Sequence, residues 1–382
     1  KRVRDLLEEY VAASGGKIRL LVIDPEPFSE AEDQAAGFGV QSIPLSANGE
    51  KGYLGLVGTN SVDDEIPIPA LSPEREGALE YDLTKMVYNL SNPTKRVIGL
   101  LSGLPVVTTD QDPSSGRPSS REWAVITLLR EVYEIRELDE ANPELNDEID
   151  TLVIIHPKAF SDKALYAIDQ FVIKGGRAVV FVDPFAEADR PERDPNAPMT
   201  MPLVNSTLEP IFAKWGVVMD PNRVAADIDA AVRVSFGSDT GPSEVEYLPW
   251  LQLTAEHFNS DDFITTELNS INVGSAGALA QTEGATTTFT PLIQTGPNSG
   301  MLERDAIVFV RDPGALLENF EPSGGSITIA ARISGVVETA YPDGKPLDEL
   351  EAKINPAGDP GFTAKSAAPI NVIVVADTDI LS

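Results

Sequence analysis

The chain has 382 residues, 29 Lys and Arg against 60 Asp and Glu, two His and no Cys, for a net charge of −31. Without Cys there is no disulfide, thiolate nucleophile, iron–sulfur cluster or Cys-based zinc site, and His156 and His257 alone cannot build a three-His metal centre. A surface this acidic repels phosphates and anionic lipid, so no nucleic-acid partner is expected.

Residues 1–14 set Val3, Leu6, Leu7, Tyr10 and Val11 on one face of an amphipathic helix, which Gly15-Gly16 ends. Lys17–Ile23 reads as a strand. Ser29 is suited to cap a short helix through Ala36. Gly52–Thr59 and Glu65–Ile68 read as an antiparallel pair, followed by a helix from about Pro73 to Leu90. This predicts a small N-terminal α/β domain over residues 1–91, with Ser91-Asn92-Pro93 as its boundary.

Over residues 92–382 the rhythm changes. Val97–Leu101, Tyr133–Leu138, Thr151–His156, Ala178–Asp183 and Val372–Ala376 read as strands, most of them short and rich in Val and Ile. Helices are expected from a Ser119/Glu122 capping box through Val132, over Ser161–Lys174 and over Leu208–Trp215. Wholly apolar strands are covered on both faces, so the fold class is α/β: a doubly wound, mostly parallel Rossmann-like sheet. A β-rich irregular insertion is expected at about 189–365, with loops at Asp189–Met201 and Asp343–Lys365.

The motifs exclude more than they assign. There is no P-loop, so the chain is not itself a Walker-type ATPase. Gly37-Phe38-Gly39 lacks a third glycine and follows no strand, and reads as a helix cap and turn. Asp239-Thr240-Gly241 spells the aspartic-protease tripeptide once, where that chemistry needs two. His257, among Glu256, Asp261 and Asp262, reads as a solvated acidic loop with weak cation affinity as the alternative.

In open α/β sheets ligands sit beyond the carboxyl ends of the strands. That places Ser102, Gly103, His156, Asp183, Phe185, Asp377 and Asp379 around one crevice as candidate ligand-binding residues. Trp123 and Trp250 are further aromatics for stacking. No nucleophile–base pair emerges, so catalytic residues, metal and cofactor are each expected to be none.

The blocks Val22–Asp33, Gly55–Asn60, Leu79–Thr84, His156-Pro157, Leu165–Phe171, Val179–Pro184, Thr286–Leu292, Ala330–Gly335 and Val374–Asp379 resemble the GldG-like auxiliary proteins of ABC transport systems, a gliding-motility-associated family. The resemblance covers nearly the whole chain. It implies an extracytoplasmic (periplasmic) region anchored to the bacterial inner membrane by helices outside this sequence, working with an ABC permease and ATPase. It also implies a sugar-binding-type α/β module in the large domain, like that of intraflagellar transport proteins and an oligosaccharyltransferase subunit, with no catalytic residues to carry over. A start at Lys1 reads as an excised fragment.

The expected function is therefore a non-catalytic accessory region that binds a ligand or couples the permease to partners, with a homo-oligomer left open. A glycan-binding module is the alternative. A metal-dependent hydrolase using Asp183, Asp377 and His156 comes third.

Overall fold

In the computed structural model, which describes residues 2–44, 51–107, 122–158, 160–191, 202–238, 241–310, 312–347 and 359–382, the chain divides into two compact units, 1–95 and 96–382. In the first unit the amphipathic helix forms over Arg2–Ala13, with Tyr10 Oη donating to the Glu80 carbonyl at 3.2 Å. Ser29 caps Glu30–Gly37 by accepting the Glu32 N–H at 3.2 Å. The long helix is divided: Pro73–Ala78 is a 3-10 turn and the α-helix runs over Leu79–Ser91, burying Leu79, Leu83 and Met86. Gly77, a poor helix former, sits where the geometry changes.

The hairpin Leu56–Thr59/Glu65–Ile68 approaches that helix so closely that a Cβ on Gly58 would lie 2.5 Å from Leu90 Cδ1. The expected strand Lys17–Ile23 is not a strand. It has no ladder partner among the described residues, and Leu21, Val22 and Ile23 are exposed. Its Val/Ile content favours a pleated surface only where a neighbour completes it.

The second unit is built on a nine-stranded sheet. Its strands are β1 (Val97–Ser102), β2 (Glu134–Glu137), β3 (Ile149–Ile155), β4 (Arg177–Phe181), β5 (Val217–Met219), β6 (Leu279–Gln281), β7 (Thr288–Gln294), β8 (Thr328–Gly335) and β9 (Ile370–Val375). The order is β2-β1-β3-β4-β9-β8-β6-β5, with β7 also on β8. The run from β2 to β9 is parallel, and from β9 onward the pairs are antiparallel.

Helix α1 (Ala124–Val132) puts Ile126 against Leu100 and Ile155 on one face. Helix α2 (Asp162–Ile173) buries Ile168 and Val172 on the other, where Phe212 and Trp215 of α3 (Ile211–Trp215) join them. Ser161 caps α2, accepting the Ala164 N–H at 3.1 Å. The Ser119 half of the expected capping box lies outside the described residues, and Glu122 instead accepts from Thr127 Oγ1 and Arg130 Nε.

The β-rich stretch adds four strands, β5 to β8, to this sheet, and its Leu279, Ala331 and Ile333 enter the main core. Residues 348–358, within the expected Asp343–Lys365 loop, and 192–201, within Asp189–Met201, lie outside the described residues. So do Asp239 and Thr240 of the protease-like tripeptide. Gly39 has φ +79°, as a helix cap and turn require.

The acids around His257 do not converge on it. Asp262 is held by Arg332 of β8 through two contacts of 2.8 Å, which keep its carboxyl below the usual range. His257 Nδ1 takes the Thr254 N–H at 3.1 Å. Arg332→Ala is expected to cost about 1–2 kcal/mol, since a bidentate, partly buried pair exceeds an exposed one. Urea unfolding at low and high salt checks this, with the difference shrinking as salt rises. Among the described residues, no helix is long and apolar enough to cross a membrane.

Candidate functional site

Strands β4 and β9 are parallel neighbours, so the residues that leave their carboxyl ends emerge side by side. This brings Asp183, Asp377 and Asp379 together, with one oxygen of each within 4.8 Å of the others. Asp183 and Asp377 are fully buried. Backbone and hydroxyl donors hold all three in place. Asp183 Oδ1 accepts the Phe185 N–H (2.8 Å), and its Oδ2 accepts both the Thr378 N–H and hydroxyl (2.7 Å each). Asp377 accepts from the N–H groups of Gly274 (2.9 Å), Asp379 (2.8 Å) and Ile380 (3.2 Å). Asp379 accepts from those of Glu187 (2.7 Å) and Ala188 (2.9 Å).

Burial and mutual repulsion work against three charges so close together. Burial first, and then the neighbouring carboxylates, push Asp183 well above the usual carboxyl range, against the opposing pull of Thr378. Asp377 is raised for the same reasons. Asp379, nearer solvent, is pushed up to about 6, chiefly by burial.

Asp379 also lines an open groove of about 1380 Å³, whose walls include Trp123, Trp250, Glu187, Asp189 and Asn272. Trp250 is fixed there. Its Nε1 donates to Glu187 Oε1 at 2.7 Å, and its ring stands edge-on to Tyr247 with centroids 5.5 Å apart. The same Glu187 oxygen takes the Ser275 hydroxyl at 2.6 Å, from a residue with φ +55°.

The remaining candidates serve other ends. His156 is fully buried with φ +51°, and its Nε2 lies 3.1 Å from Asp189 Oδ2, which also pairs with Lys158 at 2.6 Å. Burial lowers its pKa more than Asp189 raises it. It therefore stands outside the carboxylate group, and the hydrolase trio of Asp183, Asp377 and His156 is not assembled.

Ser102 is satisfied within its own turn, donating to the Leu104 carbonyl at 2.8 Å. A Cβ on Gly103 would lie 2.3 Å from the His156 carbonyl oxygen, so glycine is needed for that close approach. Phe185 contributes its N–H to Asp183, and its half-buried ring is not part of the groove wall. Glu187, Ser206 and Ser275 reach the site from loops with no motif to announce them.

Residues 1–59 match a domain of unknown function. A protein of Borreliella burgdorferi described as uncharacterized is 24% identical over 187 residues, 48% of this chain and 33% of that protein, so the match spans about a third of the relative. Among solved structures, the mmIFT52 N-terminal domain is 8% identical with a TM-score of 0.36, covering 75% of this chain and 87% of that one. The exo-beta-1,4-mannosidase Op5Man5 from Opitutaceae bacterium strain TAV5 is 11% identical with a TM-score of 0.27, covering 81% and 35%. Neither likeness is close enough to bear on function. Residues 95–382 match the family described as an ABC-type uncharacterized transport system, and the chain belongs to that family of transport auxiliary components.

Proposed function

We propose that this chain is the extracytoplasmic, non-catalytic part of a GldG-like accessory protein, anchored at the bacterial inner membrane beside an ABC permease and ATPase. In this reading its groove takes a carbohydrate on behalf of the transporter. The observation that supports it is the groove beyond the strand ends, lined by Trp123 and Trp250 together with Glu187, Asp189 and Asn272. Aromatic faces accept sugar rings, and carboxylate and amide oxygens accept their hydroxyls. A Trp250 already held by Glu187 and Tyr247 needs little ordering on binding.

A panel of cell-surface oligosaccharides, titrated while tryptophan fluorescence is followed, tests this. The expected result is saturable binding by one sugar class, weakened about tenfold in Trp250→Ala, as truncating an interface aromatic does. A panel with no binder, with the protein still captured by its permease, would leave the coupling role and remove the sugar.

A further inference from the structure

Ser206 is 2% exposed, and its hydroxyl has no hydrogen-bond partner. It lies opposite Asp183 in an isolated antiparallel bridge. Ser206 N donates to the Asp183 carbonyl at 2.8 Å and Asp183 N to the Ser206 carbonyl at 3.4 Å. Two residues that exchange both backbone bonds carry their side chains to the same face, with Cα atoms about 5.5 Å apart. The unpaired hydroxyl is therefore aimed to the side of the bridge that carries the Asp183 carboxylate, and with it the cluster of Asp377 and Asp379.

The carboxylates have capacity left. Asp183 Oδ1, Asp377 Oδ2 and both Asp379 oxygens each accept a single N–H, which leaves a lone pair on each. A cation that takes oxygen ligands would answer both the crowded carboxylates and the stranded hydroxyl. The set holds no sulfur or nitrogen, which selects a hard ion. Three carboxylates and a hydroxyl from the protein suit Ca²⁺, which takes about six to eight oxygen ligands in flexible geometry, better than Mg²⁺, which keeps several waters and binds through one or two carboxylates.

We propose that Asp183, Asp377, Asp379 and Ser206 form a divalent-cation site of the Ca²⁺ type at the floor of the groove. Asp379 faces the groove, so ions enter and water completes the coordination from that side. The site stands whether or not the groove takes a sugar.

The test is calorimetric titration of the chelator-treated full chain with Ca²⁺ alone, in physiological salt with excess Mg²⁺ to suppress diffuse association with the acidic surface. One saturable ion per chain is expected, with a higher melting temperature on binding. Asp379→Asn should weaken it at least tenfold. Ser206→Ala should weaken it several-fold without lowering the melting temperature of the ion-free protein, which separates a lost ligand from a damaged fold. No saturable binding, or affinity unchanged in Ser206→Ala, would overturn the site and leave the carboxylates as loop staples.

Discussion

Replacing Asp183 by alanine is expected to destabilise the larger unit by about 3–5 kcal/mol, the largest effect of any single change at the strand ends. The carboxylate accepts from Phe185 N, Thr378 N and Thr378 Oγ1, and all three donors would be left without it in a region water does not reach. Each orphaned donor costs about 1–3 kcal/mol. Relief of repulsion with Asp377 and Asp379 offsets part of the sum. Asparagine keeps one oxygen but turns an amide N–H₂ toward a donor, so it should fall between alanine and the parent protein. Urea unfolding followed by circular dichroism measures all three, and an alanine variant as stable as the parent would falsify the stapling role.

In the presence of a chelator, stability is expected to fall as pH rises from about 5 toward 7.5. The sign follows from linkage: a carboxyl whose pKa is higher folded than unfolded binds more protons in the native state, so raising the pH favours unfolding. Asp379 alone, at about 6 in the fold against an ordinary 3.8, loses its share chiefly between about pH 4 and 6, so about 1 kcal/mol of it falls within this range once the solvent at its outer edge is allowed for. The raised carboxyls of Asp377 and Asp183 act in the same direction. His156 acts in the opposite one below about 6.5, because burial lowers its pKa and its protonation favours the unfolded chain. Thermal melts of the parent and of Asp379→Asn across this range separate the two: the variant should flatten the fall and expose the His156 rise. A parent curve that climbs through neutrality would show that the carboxylates are not raised.

The parallel half of the sheet is legible in the sequence because β1, β3, β4 and β9 are largely buried, and burial on both faces writes itself as short runs rich in Val, Ile and Leu. Most of the antiparallel half is not, although the apolar run of β8 reads as a strand. β5 and β6 are three residues each, too short to show a period, and β7 carries Thr and Pro where it pairs with β8 through an irregular register. The same contrast runs through the site. Asp183, Asp377 and Asp379 are visible as acids at the ends of apolar runs, since parallel neighbours end together. His156 has the same signature, but Asp189 draws its ring away, and nothing in the sequence spacing reports that contact. Glu187, Ser206 and Ser275 are placed by loops and by a left-handed residue, conformations with no side-chain periodicity to read. Lys17–Ile23 fails for the converse reason: strand-like composition states a preference, and a strand needs a partner.

The central strand arrives last. β9 lies between β4 and β8, yet it follows both in the chain by a long interval. A ribosome must have emitted residues 370–375 before the two halves can join. Until then β4 and β8 each present an unpaired apolar margin, which is the slow, long-range closure that favours contact with foreign strands. Synthesis of this unit should therefore depend on chaperones more heavily than its finished stability would require.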